Sequence, residues 1–285
     1  MAKIPESELI INKDGSIYHL SLAPGSISDT IITVGDPGRV HLVSQYFTNI
    51  DFEMNKREFI THSGTYNGKR ITVISTGMGT VNIEVFMTEL DALFNIDLKK
   101  RQIKTRKKKL KIIRIGTSGS LQEDIPIGTH LVSNYAVGFD AMMQFYKFPQ
   151  TEFEQKIAND IRDKTGLSFT PYLAKCSESL KKQIAFDMVE GNTITSPGFY
   201  APQGRRIRLE LRYPKLLREL NYYHNDQFWL TNFEMETAGY YALAKLLGHE
   251  MLSVNAIIAN RIKKTISKNP QNIVDSLIRK VLDRI

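Results

Sequence analysis

Arg114 stands inside an apolar run, Lys111 to Ile115 (KIIRI), where a guanidinium without an anionic partner is costly to bury. Just beyond it, Gly116-Thr117-Ser118-Gly119 offers two hydroxyls and several glycine-adjacent amides. A bound anion would satisfy the arginine, and so would an internal ion pair with a core carboxylate. VGDPGRV offers unpaired backbone amides at Gly35 and the positive end of a helix, which suit phosphate. Arg39 adds a fork of donors matched to phosphate oxygens, although the segment by itself reads as an ordinary strand-to-helix turn. In TNFEMETAGYYALAKLLG, Thr231 and Glu234 have capping-box spacing, so Glu234 reads as structural. Glu236 opens a run of small and apolar residues that must pack inside, where its carboxylate could accept two hydrogen bonds from sugar hydroxyls. The loop SPGFYAPQGRRIRL presents Phe199, Tyr200, Gln203 and Arg205, an aromatic face with an amide and a guanidinium able to meet a planar base. Taken alone it is a surface loop with a basic tail.

Other chemistries are absent from the pattern. The six histidines show no HExxH or other metal-ligand spacing, and there is no GxSxG elbow or Walker A loop. Phe86-Met87-Leu90 reads as core. One cysteine, Cys176, excludes an internal disulfide and reads as a small core residue. No run of 18 apolar residues suggests a membrane span, and acids and Pro5 near the N-terminus argue against a secretory signal, so a cytoplasmic protein is expected. The net charge of +8 hints at nucleic acid, but residues 99–111 (KKRQIKTRKKKLK) hold nine Lys or Arg and no acid. Without them the charge is 8 − 9 = −1. This run carries no stacking aromatic and reads as a solvated connector, with a phosphate-rich partner as the lesser alternative.

The elements that would position these residues alternate in type. Strands are expected at Thr30–Val34, Lys111–Ile115, His130–Val137 and Met251–Ala259. A hairpin over 58–76 turns at Asn67-Gly68. Helices are expected from Pro37 (capped by Asp36) to about Phe47, from Gly79 with Val81, Val85, Leu90 and Phe94 inward, and over 152–165, 209–220, Glu236–Leu247 and Asn272–Ile285. The pattern predicts one α/β domain over 1–285 with a mixed, mostly buried sheet, its ligand at the loops beyond the strand ends.

Taken in order, IYHLSL, TVGDPGRV, REFITHSGTYNGK, STGMG, IIRIGTSGSLQEDIPIG, GFYAPQGR, NFEMETA and AIIANR resemble the nucleoside phosphorylase family, uridine phosphorylases in particular, over roughly 17–261. The resemblance implies a distorted, barrel-like mixed sheet flanked by helices and phosphate-dependent cleavage of a nucleoside. By that resemblance Gly35, Arg39, Arg114 and Thr117 hold phosphate, with Arg57 reaching it from a neighbouring subunit. His19, also from the neighbour, meets the ribose 5′-hydroxyl, Met235 packs on the sugar and Glu236 takes its 2′- and 3′-hydroxyls. Phe199 lies against the base, Gln203 and Arg205 bind its edge, and Arg261 supports that site. Purine-preferring relatives carry an aspartate after the late strand; AIIANRI has none, which favours uridine and related pyrimidine nucleosides. The family implies a dimer or hexamer and no metal or organic cofactor, inorganic phosphate being a co-substrate. Thr80-Val81-Asn82 departs from the usual small residue and Pro-Ser after STGMG, where some relatives hold a monovalent cation, and the basic insert is not a usual feature. The alternatives are a purine nucleoside phosphorylase, a hydrolytic nucleosidase on the same fold, and a nucleoside or nucleic-acid binding module.

Overall fold

The structure is a computed structural model describing residues 3–226 and 228–285. Thr30–Val34 forms β1, because a β-branched run lies between turn-forming stretches, and Gly38–Ser44 forms the short helix α1. Strands β2 (Asn49–Lys56), β3 (Phe59–Tyr66) and β4 (Lys69–Ser75) make an antiparallel meander. Its last turn places Asn67 at φ 48° and Gly68 at φ 75°, both left-handed, as an Asn-Gly hairpin requires. Helix α2 (Thr80–Asn95) leads through the two-residue strands β5 (Ile96–Asp97) and β6 (Gln102–Ile103) into β7 (Lys111–Ser120). Then come β8 (His130–Gly138), α3 (Glu152–Thr165), β9 (Tyr172–Lys175), α4 (Glu178–Ile184) and β10 (Val189–Thr195). The chain closes with α5 (Leu216–Asn221), β11 (His224–Asn225), β12 (Phe228–Trp229), β13 (Asn232–Glu234), α6 (Thr237–Leu247), β14 (Glu250–Asn260), β15 (Thr265–Ile266) and α7 (Pro270–Leu282).

Eleven strands join in one mixed sheet. Five of them close on themselves: β7 pairs β14, β14 pairs β8, β8 pairs β10, β10 pairs β13, and β13 returns to β7. Closure into a barrel removes the free edges that β7 and β14 would otherwise present. From β7 the sheet extends through β1 to the β4–β3–β2 meander, while β9 pairs with β8 and β15 with β14. A large apolar core packs α2, α6 and α7 against this sheet, and a second gathers Ile157, Ile161, Leu216, Leu220 and Phe233 under α3 and α5. The expected single α/β architecture with a barrel-like mixed sheet is the observed one.

Several boundaries differ, each for a physical reason. The helix after β1 ends at Ser44, and Pro37 precedes it; Asp36 Oδ1 accepts from the Gly38 amide at 2.9 Å. β7 runs on through Gly116-Thr117-Ser118-Gly119, because β14 pairs with it along that length. On α2, Ile83, Phe86, Met87, Leu90 and Leu93 are buried, whereas Val81 is 79% exposed and only Leu90 of the four expected inward positions is fully enclosed. The helix expected over 209–220 shrinks to Leu216–Asn221, since Pro214 disfavours helical backbone just before it. Thr231 forms no capping box: its hydroxyl lies in the barrel, near the Asn192 carbonyl and Asn232 Oδ1.

The basic stretch is a surface excursion between α2 and β7, consistent with a solvated connector. Its ends are clasped by Asn95, which donates to the Lys108 carbonyl at 3.1 Å and accepts from the Lys108 amide at 2.6 Å. Lys108 and Lys109 pair with Asp29 and Glu250.

Candidate active site

Beyond the carboxyl end of β1 and along β7 from Arg114 to Gly119 lies a cleft of about 580 Å³. One end is suited to an anion. Gly35 faces it from the β1–α1 turn, Arg39 from the first turn of α1, and Arg114 and Thr117 from β7. Among the described residues the Arg39 guanidinium makes one hydrogen bond, Nη1 to the Ile115 carbonyl at 3.3 Å. Burial, then repulsion from Arg114, lowers its pKa, so an entering anion would relieve a cost already present.

Arg114 is held from both sides. Its Nη2 lies 2.6 Å from Glu236 Oε2 and 3.3 Å from Glu234 Oε2, while Nη1 donates to Asn255 Oδ1 at 3.1 Å. Burial opposes its charge, but the two glutamates outweigh it and hold its pKa above the ordinary value. Both readings of this arginine therefore meet in one residue: it lines the cleft and it makes an internal ion pair. Gly116 is required for space, because a Cβ there would sit 1.9 Å from Arg114 Nη1.

Glu236 stands at the buried start of α6, and its Oε1 accepts from the Gly79 amide at 2.7 Å. Burial raises its pKa, and Arg114 opposes that rise. Glu234 does cap α6, by a route other than the expected box. Its Oε2 accepts from the amides of Glu236 and Thr237 at 2.9 Å each and from the Thr237 hydroxyl at 2.8 Å. Met235, between the two glutamates, lines the cleft.

At the other end the 196–205 loop supplies Phe199, Gln203 and Arg205. Gln203 is buried, and its Oε1 accepts from Arg205 Nη1 at 2.5 Å. Arg261 Nη2 donates to the Gln203 carbonyl at 3.1 Å, so it braces the loop from behind. The Arg205 guanidinium lies 3.7 Å from the centre of the Phe199 ring, over one face of it. Burial, then Arg261, lowers the pKa of Arg205 to about 10.

Two of the expected residues lie elsewhere. Neither His19 nor Arg57 lines this cleft. His19 Nδ1 is 2.6 Å from Glu89 Oε1, its ring meets Tyr18 edge-on, and the Arg57 guanidinium lies 6.0 Å from the Tyr18 ring. The two share one surface neighbourhood, with Arg57 exposed in the β2–β3 turn at φ 54°.

Among the described residues, no group of three or more His, Cys, Asp or Glu could hold a metal ion, and no helix is long and apolar enough to cross a membrane. Asn82, where relatives are implied to hold a monovalent cation, turns its amide nitrogen to the Thr76 carbonyl at 3.0 Å. Residues missed in the sequence include Ile266, Met78 and Glu58 along the cleft, and Asn232 and Asn255 inside the barrel. A polar residue inside the apolar strand MLSVNAIIA was the available signal for Asn255.

The phosphorylase superfamily model matches residues 29–283. The chain belongs to the phosphorylase superfamily. A uridine phosphorylase of Thermococcus kodakarensis is 30% identical over 93% of this chain and 85% of its own. A DeoD-type purine nucleoside phosphorylase of Streptococcus suis is 26% identical over 94% and 98%. Among solved structures, a Trypanosoma brucei nucleoside phosphorylase described as showing uridine phosphorylase activity superposes with TM-score 0.88 at 30% identity, covering 97% of this chain and all of that one. A uridine phosphorylase of Phytophthora capsici, at TM-score 0.71 and 22% identity over 99% and 98%, shares the fold. As a member of this superfamily the chain is an enzyme of the nucleoside phosphorylase type.

Proposed function

We propose that this phosphorylase cleaves uridine, or a closely related pyrimidine nucleoside, with inorganic phosphate. A phosphate oxygen forms a bond to C1′ as the C1′–N1 bond breaks, giving ribose 1-phosphate, and the base leaves with the bonding electron pair. The observation that carries this reading is the two-ended cleft: Arg39, Arg114, Gly35 and Thr117 at one end, Gln203 and Arg205 at the other, and Glu236 beside the anion end. Phosphate held by the arginines is both nucleophile and counter-charge to the cationic sugar of the transition state. Glu236 takes the 2′- and 3′-hydroxyls, and Met235 packs on the sugar.

The base end has an amide and a guanidinium but no carboxylate from the end of β14 and the two residues beyond it, which read AIIANRI. Gln203 and Arg205 match the carbonyls and N–H of a uracil edge and stabilise charge on the departing ring. Arg205 now covers one face of Phe199, so the base either uses the other face or displaces the guanidinium. The T. kodakarensis and T. brucei relatives support uridine over a purine. A water-using nucleosidase is disfavoured because water needs no arginine clamp.

His19 and Arg57, clustered at the surface and outside their own chain's cleft, complete the site of a second copy, so the working enzyme is a dimer or a hexamer. No metal or organic cofactor enters the reaction, and its metabolic place is cytoplasmic nucleoside salvage. Ultraviolet absorbance of uridine with and without phosphate tests the reading. Uracil release that requires phosphate and yields ribose 1-phosphate is expected. Release without phosphate would replace it with the nucleosidase, and cleavage of inosine but not uridine with the purine enzyme.

A further inference from the structure

Glu89 stands in α2, 9% exposed, and its carboxylate meets one short segment of the chain from 70 residues away. Oε2 accepts from the backbone amides of His19 at 2.9 Å and Leu20 at 3.0 Å. Oε1 lies 2.6 Å from His19 Nδ1. The two amides alone would tie the backbone turn to α2; the ring contact is additional, and it fixes the imidazole. Tyr18 meets the same ring edge-on, with ring centres 4.7 Å apart, so packing and a hydrogen bond hold it together.

The direction of the ring contact follows from the carboxylate. Ionised, it has acceptors only, so Nδ1 must carry the proton shared with Oε1. A neutral imidazole protonated at Nδ1 has a bare Nε2, which is an acceptor. That nitrogen has no partner among the described residues, and the His19 side chain is 35% exposed. Turning the ring over would set carbon against the carboxylate and lose the 2.6 Å bond. The atom offered to a ligand is therefore one that accepts, and it suits a hydroxyl that donates.

We propose that Glu89 is a positioning residue that fixes the tautomer of His19, so that Nε2 accepts from the 5′-hydroxyl of a nucleoside bound by a second copy and the site selects for a donor at the 5′ position. This rests on the reading of His19 as a residue contributed to a neighbouring phosphorolytic site. One helix then serves two sites. The Gly79 amide at its start holds Glu236, which takes the sugar hydroxyls of its own cleft. Glu89, about 15 Å further along the axis, sets the group presented to the neighbour's sugar.

Glu89→Gln reverses the polarity with almost no change of shape. Its amide oxygen must stay on the two backbone N–H groups, since an NH2 facing both would leave buried donors unpaired. The amide nitrogen then donates to Nδ1, and the ring proton moves to Nε2. Nitrogen NMR of isotope-labelled histidine, at about pH 8.5 where an ordinary imidazole is neutral, reads the tautomer, with His19→Gln assigning the signal. Phosphorolysis of uridine, 5′-deoxyuridine and 5′-O-methyluridine is compared in the unaltered enzyme and E89Q, with the thermal midpoint as the folding check. The methyl ether has an acceptor and no donor at the 5′ position, and the deoxy nucleoside has neither. The unaltered enzyme should show Nδ1 protonated and Nε2 bare, and should cleave the ether no better than 5′-deoxyuridine. In E89Q the tautomer should reverse, and kcat/KM for the ether relative to 5′-deoxyuridine should rise about five- to tenfold, the bulk of the methyl group cancelling in the comparison. A protonated Nε2 in the unaltered enzyme, or one tautomer in both proteins, would overturn the positioning role. So would an equal loss on all three substrates in E89Q, which is what a purely structural carboxylate gives. A reversed tautomer with an unmoved ratio would overturn the selection for a 5′ donor. If E89Q fails to fold, the unaltered enzyme decides: a bare Nε2 and a poorly cleaved ether support the proposal, and a protonated Nε2 or a favoured ether overturns it. An unaltered enzyme that cleaves no uridine overturns the functional reading, while the spectra still decide the role of Glu89.

Discussion

Replacing Arg114 by alanine should damage the fold and the chemistry separately, and the two effects can be told apart. The substitution leaves Glu236 and Glu234, both buried, without the guanidinium 2.6 and 3.3 Å away. Breaking a buried pair from one side costs about 3–5 kcal/mol. For 285 residues the unfolding entropy is about 0.6 kcal/mol per degree, so the midpoint should fall by about 5–8 °C. The loss must also depend on pH. Burial already lifts the Glu236 carboxyl above the usual glutamate value while Arg114 opposes the rise, and removing Arg114 lifts it further. A carboxyl with a higher pKa folded than unfolded favours the fold below its unfolded value and costs stability as pH rises through the folded one. The deficit should therefore be wider at pH 8 than at pH 5. Calorimetric scans at both pH values, on R114A and on R114A/E236Q, measure it, and the double variant should recover part of the midpoint. Neither variant should recover activity, because the anion contact is gone, at a cost of about 2–4 kcal/mol in the barrier, or roughly 30- to 1,000-fold. Equal deficits at pH 5 and pH 8, or normal turnover at saturating phosphate, would refute the argument.

Three further outcomes are expected. Arg39→Ala leaves no carboxylate stranded, so the midpoint should shift little while KM for phosphate rises at least tenfold in steady-state kinetics. Gly116→Ala puts a methyl 1.9 Å from Arg114 Nη1, so the guanidinium must move; a loss of about 1–3 kcal/mol in stability by denaturant titration should accompany reduced turnover. Burial pushes the Cys176 thiol up to about 12, so the folded enzyme should resist iodoacetamide at pH 8 and react once unfolded.

What can be read from the chain follows from where the determining contacts lie. The Asn67-Gly68 hairpin is legible because its turn is encoded in two adjacent residues, and α3 is legible because Thr151 and Glu154 cap it locally. The inward face of α2 departs from expectation at Val81, since only its packing on α6 and the sheet decides which stripe is buried. Glu234 is the expected cap with a different partner: its acceptor geometry depends on β13 ending where α6 begins. The run past Gly116 remains strand because β14, more than 130 residues later, pairs with it. Residue types announce the anion end, the sugar carboxylate and the base loop. The polar barrel interior stays hidden, because Ser133, Thr193, Asn232 and Asn255 acquire meaning only once five strands close.

The basic excursion enters the barrel at Lys111, the amino end of β7, whereas Arg114 lines the cleft from three residues along and Thr117, Ser118 and Gly119 from the carboxyl half. Thr117 is six residues further on, about 20 Å along an extended strand. At physiological ionic strength the Debye length is about 8 Å, so through solvent the potential of those lysines and arginines is screened to roughly a tenth at the distance of Thr117 and to roughly a third at that of Arg114. The charge that dominates the protein's net value is then nearly silent at its cleft. Anion capture falls to the few guanidiniums within contact distance, and the surface charge is left free to drift without retuning substrate affinity.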